Sequence, residues 1–118
     1  MRQAPSIDAY GGGGFRVSGD WRPGSLLVLD DAPFDWRPAS FAELTPADFA
    51  QVIAAGTSVV EFVLLGTGAK QSMPPKEIRE ALRAAGMGLE FMSTESAART
   101  YNVLASEGRR LACALIAI

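Results

Sequence analysis

The sequence predicts one mixed α/β domain, and three observations carry that reading. From residue 59 onward, apolar strand-like runs and helical patterns alternate as strand, helix, strand, helix, strand, the mark of parallel strands joined by crossover helices. Ahead of them, two short strand patterns flank a turn rich in Gly, Pro and Asp, which reads as a β-hairpin and makes the sheet mixed. Finally, 118 residues with 48% apolar and 20% charged side chains suit one folded domain. A chain of this size buries roughly two-thirds of the surface it exposes when unfolded.

Taken in order, residues 1–9 read as a short N-terminal tail of the single domain 1–118. The glycines at 11–14 form a turn, or a place where something approaches the backbone closely. Phe15–Ser18 alternates apolar and polar residues, Gly19–Gly24 has turn composition, and Ser25–Leu29 is a more buried strand. Residues 30–44 read as an irregular connection packed down by Phe34, Trp36 and Phe41. Thr45-Pro46 opens a helix that runs to Ala55 and stops at Gly56, with Asp48 suited to the positive end of its dipole. Val59–Leu65 is the strongest strand, interrupted only by Glu61, as expected for a central strand covered on both faces. Gly66-Thr67-Gly68 closes it. A helix over 75–85 carries Ile78, Ala81, Leu82 and Ala85 on one face. A short strand at Leu89–Met92, a helix over 94–107 capped by Ser93-Thr94, and a last apolar strand from Leu111 complete the chain.

Composition narrows the chemistry. The chain has no histidine, which removes Ser-His-Asp and Cys-His catalysis, His-ligated zinc and the usual proton shuttle near neutral pH. Its one cysteine, Cys113, allows no intrachain disulfide and lies in an apolar run where a thiol packs as a small hydrophobe. No catalytic set, metal-ligand set or cofactor motif emerges. A net charge of −2 with scattered arginines gives no drive towards nucleic acid. There is no signal-peptide pattern, and no apolar run approaches the roughly 18 residues of a membrane span. The expected location is the cytoplasm.

Several segments resemble one family together: YGGGGFRVSG at 10–19, GSLLVLD at 24–30, VVEFVLLGTG at 59–68, and the stretch from GMGLEFMSTESAARTYNVL through EGRRLACALIAI at 86–118. They are similar to the Mth938-domain family, a domain of unknown function, over nearly the entire chain. Asp30 departs from the proline expected after the LLVL strand. The resemblance implies a three-layer α/β fold with a central mixed five-stranded sheet, in which the C-terminal strand lies beside Val59–Leu65 and Leu89–Met92 lies on the other side. It also implies kinship with a branch tied to assembly of respiratory complex I and another linked to adipocyte differentiation.

If the central strand sends its successors to opposite sides, its C-terminal end is a topological switch point, where α/β sheets place ligands. Gly66, Thr67 and Gly68 would floor that crevice, with Lys70 two residues beyond and Thr94 arriving on the same sheet edge. A glycine turn that merely redirects the chain is the competing reading. Arg99 would clamp an anion or pair with Glu95 one helical turn earlier. Glu61 and Glu90 interrupt apolar strands, so they are candidates for a carboxylate pair or for a solvated face. Tyr101 falls on the core stripe of the 94–107 helix, whereas Val103 lies outside it, pointing to a second buried side or another subunit. The leading expectation is a non-enzymatic interaction or assembly-factor-like module with protein partners, respiratory or other membrane-associated machinery among them, or a second copy of the chain. The alternative is a small-molecule or anion site, or an enzyme, using the crevice.

Overall fold

Strand alternation sorts the apolar side chains into two cores, one on each face of a five-stranded sheet, in the computed structural model, which describes residues 3–118. The sheet contains β4 (Ser25–Leu29), β5 (Ala32–Trp36), β6 (Phe62–Gly66), β7 (Gly88–Met92) and β8 (Leu111–Leu115), in the order β5-β4-β8-β6-β7. β6 pairs parallel with both β7 and β8, and β4 pairs antiparallel with β8 and β5. Leu27, Val63, Leu65, Ala112 and Ala114 face one core. There they meet Val52 of α1 (Ala50–Ala55) and Ile78 and Leu82 of α2 (Lys76–Ala84). Leu26, Val28, Leu64, Cys113 and Leu115 face the other, against Ala97, Ala98 and Tyr101 of α3 (Thr94–Ser106). Helices on both faces of a mixed sheet give the expected three layers.

The N-terminal part differs from the expected hairpin. Gly14–Val17 does not pair with Ser25–Leu29. It is the middle strand (β2) of a separate antiparallel sheet with β1 (Ile7–Gly11) and β3 (Asp20–Pro23). Ile7–Ala9, read as tail, therefore belong to a strand, and residues 1 and 2 of that tail lie outside the described residues. Asp20 and Pro23 resembled a turn, yet the true turn is Ser18-Gly19, with φ of 48° and 89°, which links adjacent strands by two residues. This small sheet adds Ile7, Phe15 and Val17 to the second core, with β1 against α3 and β2 against β4.

The 30–44 connection likewise holds a strand, since β5 pairs with β4 from Leu29↔Ala32 to Ser25↔Trp36. Its turn is Asp30-Asp31, at φ of 51° and 62°. Aspartate tolerates that left-handed geometry, whereas a proline ring at position 30 forbids it. The family departure at Asp30 is thus part of the turn. Trp36 is buried edge-on against Phe49 and donates its indole N–H to the Asp48 carbonyl, Phe41 is half-buried, and Phe34 stays exposed.

The start of the central strand is also corrected. Val59 and Val60 lie in a turn, and the strand begins at Phe62. Val60 is fully buried there, so an apolar turn residue mimicked a strand residue.

The connection before α1 is tied by one carboxylate. Asp48 accepts from Arg37 Nε and Nη2, both at 2.7 Å, and from the Thr45 N–H and hydroxyl at 2.9 and 3.0 Å. Those bonds, led by the guanidinium, hold its carboxyl below the usual carboxylate range. A depressed folded pKa contributes stability that is present above the unfolded value of about 3.9 and is lost as pH falls through the folded value. Thermal melts should therefore drop as pH is lowered from about 5 to 3 and below. Asp48→Asn should lower the neutral melting temperature, at a cost of about 1–3 kcal/mol, and flatten that acid dependence. An Asp48→Asn protein with the wild-type acid profile would refute the assignment.

Candidate functional site

The crevice expected at the C-terminal ends of β6, β7 and β8 exists in the topology, since α2 and α3 leave β6 and β7 on opposite faces of the sheet. Its inner part is closed by its own hydrogen bonds. Thr94, 0% exposed, accepts from the Gly68 N–H at 2.9 Å and donates to the Ile116 carbonyl at 2.7 Å through the same hydroxyl. The Thr94 N–H returns to the Gly68 carbonyl at 2.8 Å, and the Ile116 N–H reaches the Gly66 carbonyl at 3.0 Å. Thr67 accepts from the Ser72 N–H at 3.1 Å, and its hydroxyl lies within donating distance of the Lys70 and Met92 carbonyls, at 2.7 and 3.1 Å. Gly66 has no room for a side chain, because a Cβ would stand 2.9 Å from Thr94 Cα.

Outside this knot lies an open, mainly apolar groove of about 670 Å³. Thr67, Gly68 and Lys70 form one wall, Ile116–Ile118 another, and Ala39–Ala42 the third. Ser25 assembles the last two walls, because its buried hydroxyl donates to the Pro38 carbonyl and accepts from the Ala117 N–H. The structure therefore brings Gly66, Thr67, Gly68 and Thr94 together, with Lys70 alongside. Arg99 does not join them. It sits on the exposed side of α3, 3.9 Å from Glu95, which also accepts the Tyr10 hydroxyl.

The carboxylate candidates separate. Glu61 precedes β6 and pairs with Arg110 at 2.9 Å, while Glu90 lies exposed on edge strand β7. Both take the solvated reading. Tyr101 is a core aromatic, 2% exposed, whose hydroxyl donates to the Pro5 carbonyl. Cys113 is fully buried, and burial pushes its thiol pKa far up. Val103 remains 58% exposed, so no element among the described residues packs over it. The third wall, Ala39–Ala42, and the Ile116 carbonyl were not legible from residue types. Only Ser25, a polar residue opening an apolar strand, hinted at the join.

Comparison with known proteins bears on this arrangement. A family model described as a protein of unknown function (DUF498/DUF598) matches residues 7–116. An uncharacterized protein of Rhodobacter capsulatus is 41% identical over 93% of this chain and 82% of its own length. NADH dehydrogenase (ubiquinone) 1 alpha subcomplex assembly factor 3 of Rattus norvegicus is 31% identical over 97% of this chain. The chain spans 61% of that factor's length. Among solved structures, one described as an outer membrane protein from Bartonella henselae matches with a TM-score of 0.88 and 34% identity, over 97% of this chain and 95% of its own. A Mth938-like domain from Bordetella pertussis matches at 0.80 and 27% identity, over 98% and 89%. No helix among the described residues is long and apolar enough to cross a membrane. With the family match spanning nearly all of the fold described above, this chain belongs to the DUF498/DUF598 family of Mth938-like domains.

Proposed function

We propose that the domain is a non-enzymatic, assembly-factor-like module that binds a protein partner in the cytoplasm, with respiratory or other membrane-associated machinery as the partner class. The observation that carries this reading is the closed knot at the switch point. The hydroxyls and amides that would hold a reacting substrate are spent on one another, and what faces outward is an apolar groove, a surface suited to a partner's side chains. The name of the Rattus norvegicus relative supports it from outside the structure.

Affinity capture of the tagged protein from its own cells tests the proposal. Ala69→Asp introduces a charge on an exposed groove wall and should deplete the captured partner at least fivefold with little change in melting temperature. Arg99→Ala, away from the groove, should leave capture unchanged. Turnover of a defined metabolite by the purified protein, lost on Thr67 substitution, would overturn the reading.

A second reading rests on Lys70, an exposed cationic residue that lines the groove with Thr67 and Gly68. It makes the groove beside Thr67, Gly68 and Lys70 a small-anion or small-molecule site, with Thr94 and Gly66 closing its inner end and Arg99 standing apart on Glu95. Phosphate titration followed by amide chemical shifts decides it: saturable shifts at 67–70, abolished by Lys70→Ala, support the site, and their absence removes it.

A further inference from the structure

The two outer edges of the five-stranded sheet are built differently. β5 carries Pro33, and a proline on an edge strand discourages further pairing because it lacks an N–H. β7, Gly88-Leu89-Glu90-Phe91-Met92, has no proline and pairs with β6 in unbroken register from Phe62↔Gly88 to Gly66↔Met92. It ends the strand order, so among the described residues the backbone groups on its outer side meet no neighbouring strand and offer a template for one.

Both faces of that edge are grooved. On the α2 side, a groove of about 340 Å³ has Leu89 and Phe91 in its base and Arg79 and Arg83, one helical turn apart, in its wall. No carboxylate among the described residues lines it. On the α3 side, a groove of about 500 Å³ runs past Glu90 to Leu104 and Phe62, with the Arg109 guanidinium 5.2 Å above the Phe62 ring. Successive side chains of a strand point to opposite faces. A strand laid along β7 would therefore send alternate side chains into the two grooves, one walled by two arginines and the other carrying one charge of each sign beside Leu104 and Phe62.

We propose that β7 is a strand-addition site for an extended segment of a partner protein in which acidic and apolar residues alternate. The acidic side chains meet Arg79 and Arg83, the apolar ones pack on Leu104 and Phe62, and main-chain hydrogen bonds to β7 supply the common attraction. Charge decides the occupant: two arginines on α2 select carboxylates, whereas on the α3 side Glu90 offsets Arg109 and leaves no net charge to attract them. The proposal rests on the protein-interaction reading but uses grooves whose lining residues differ from those of the groove at Thr67–Lys70.

The probe is a fluorescein-labelled Glu-Val repeat heptapeptide, followed by anisotropy and by amide shifts of the labelled protein. Saturable binding is expected, with the largest shifts at 88–92. A Lys-Val repeat, or a Glu-Val repeat N-methylated at alternate residues, should bind at least tenfold more weakly. Arg83→Glu, on the exposed side of α2, should weaken binding at least tenfold while the melting temperature stays near wild type. Equal binding of the N-methylated peptide, shifts centred away from β7, or a wild-type dimer in sedimentation that resists the peptide would each overturn the proposal. Cellular capture unaffected by Arg83→Glu would remove β7 while leaving the interaction reading intact. Failure of the wild-type protein to capture any partner would remove that reading, and the peptide titration would still judge β7.

Discussion

Thr94→Val should be among the most damaging conservative substitutions in this domain, lowering unfolding free energy by about 2–5 kcal/mol. The exchange keeps side-chain volume and shape, so cavity formation contributes little. What changes is the hydroxyl that accepts from the Gly68 N–H and donates to the Ile116 carbonyl. Both partners belong to buried residues, and a buried donor or acceptor left unsatisfied costs about 1–3 kcal/mol. With unfolding entropy near 2.1 cal/mol/K per residue, the melting temperature of a domain of this size should fall by roughly 8–20 °C. Thr94→Ser keeps the hydroxyl and should recover most of that loss. The same pair separates structure from binding: if Thr94 serves the knot alone, Thr94→Val protein held well below its melting point captures partner like wild type. A Thr94→Val protein that melts within about 2 °C of wild type would mean the knot carries little of the fold's stability.

That knot also shows where residue patterns stop being informative. Apolar periodicity located β6, α2, β7, α3 and β8 because each buries a face whose spacing repeats every 2 or 3.6 residues. It failed where another constraint set the geometry. β5 was missed because Pro33 and Asp35 on an edge strand read as loop, and because its turn uses two left-handed aspartates in place of a glycine pair. β3 was missed for the same reason at Asp20 and Pro23. Val59 and Val60 were placed in a strand because burial alone does not distinguish a packed turn from a ladder. At the site, the meeting of Gly66–Gly68 with Thr94 followed from topology, since parallel neighbours end on one edge. The partners of the two threonines did not. Thr94 bonds across 22 residues to Ile116 and 26 to Gly68, and nothing local announces that the two hydroxyls face backbone groups of neighbouring segments instead of a ligand. Arg99 was placed correctly on its helix, but its approach to Glu95 rather than the crevice depends on the rotation of α3 about its axis.

Gly66→Ala should cost about 3 kcal/mol, for a reason opposite to the usual glycine argument. Gly66 is not among the positive-φ glycines, so alanine meets no backbone objection there. Space is the obstacle: the added methyl would lie 2.7 Å from Leu115 Cδ2, 2.9 Å from Thr94 Cα and 3.0 Å from Thr94 Oγ1. The leucine methyl can rotate aside, but the Thr94 main chain can withdraw only by moving the start of α3. Overpacking of this kind costs about 1–3 kcal/mol, and here the relaxation pulls the Thr94 hydroxyl away from Gly68 and Ile116, which places the effect at the upper end. Because the two substitutions damage the same hydrogen bonds, their sum should exceed the double variant's loss by about 0.5–3 kcal/mol in a mutant cycle. Strict additivity would show that the methyl is absorbed elsewhere, through Leu115, and that β6 and α3 are held apart by something other than the threonine. A Gly66→Ala protein of wild-type stability would go further, because the close approach of Thr94 to Gly66 would then not be a requirement of the fold, and the small residue at the end of β6 would call for a partner or ligand to explain it.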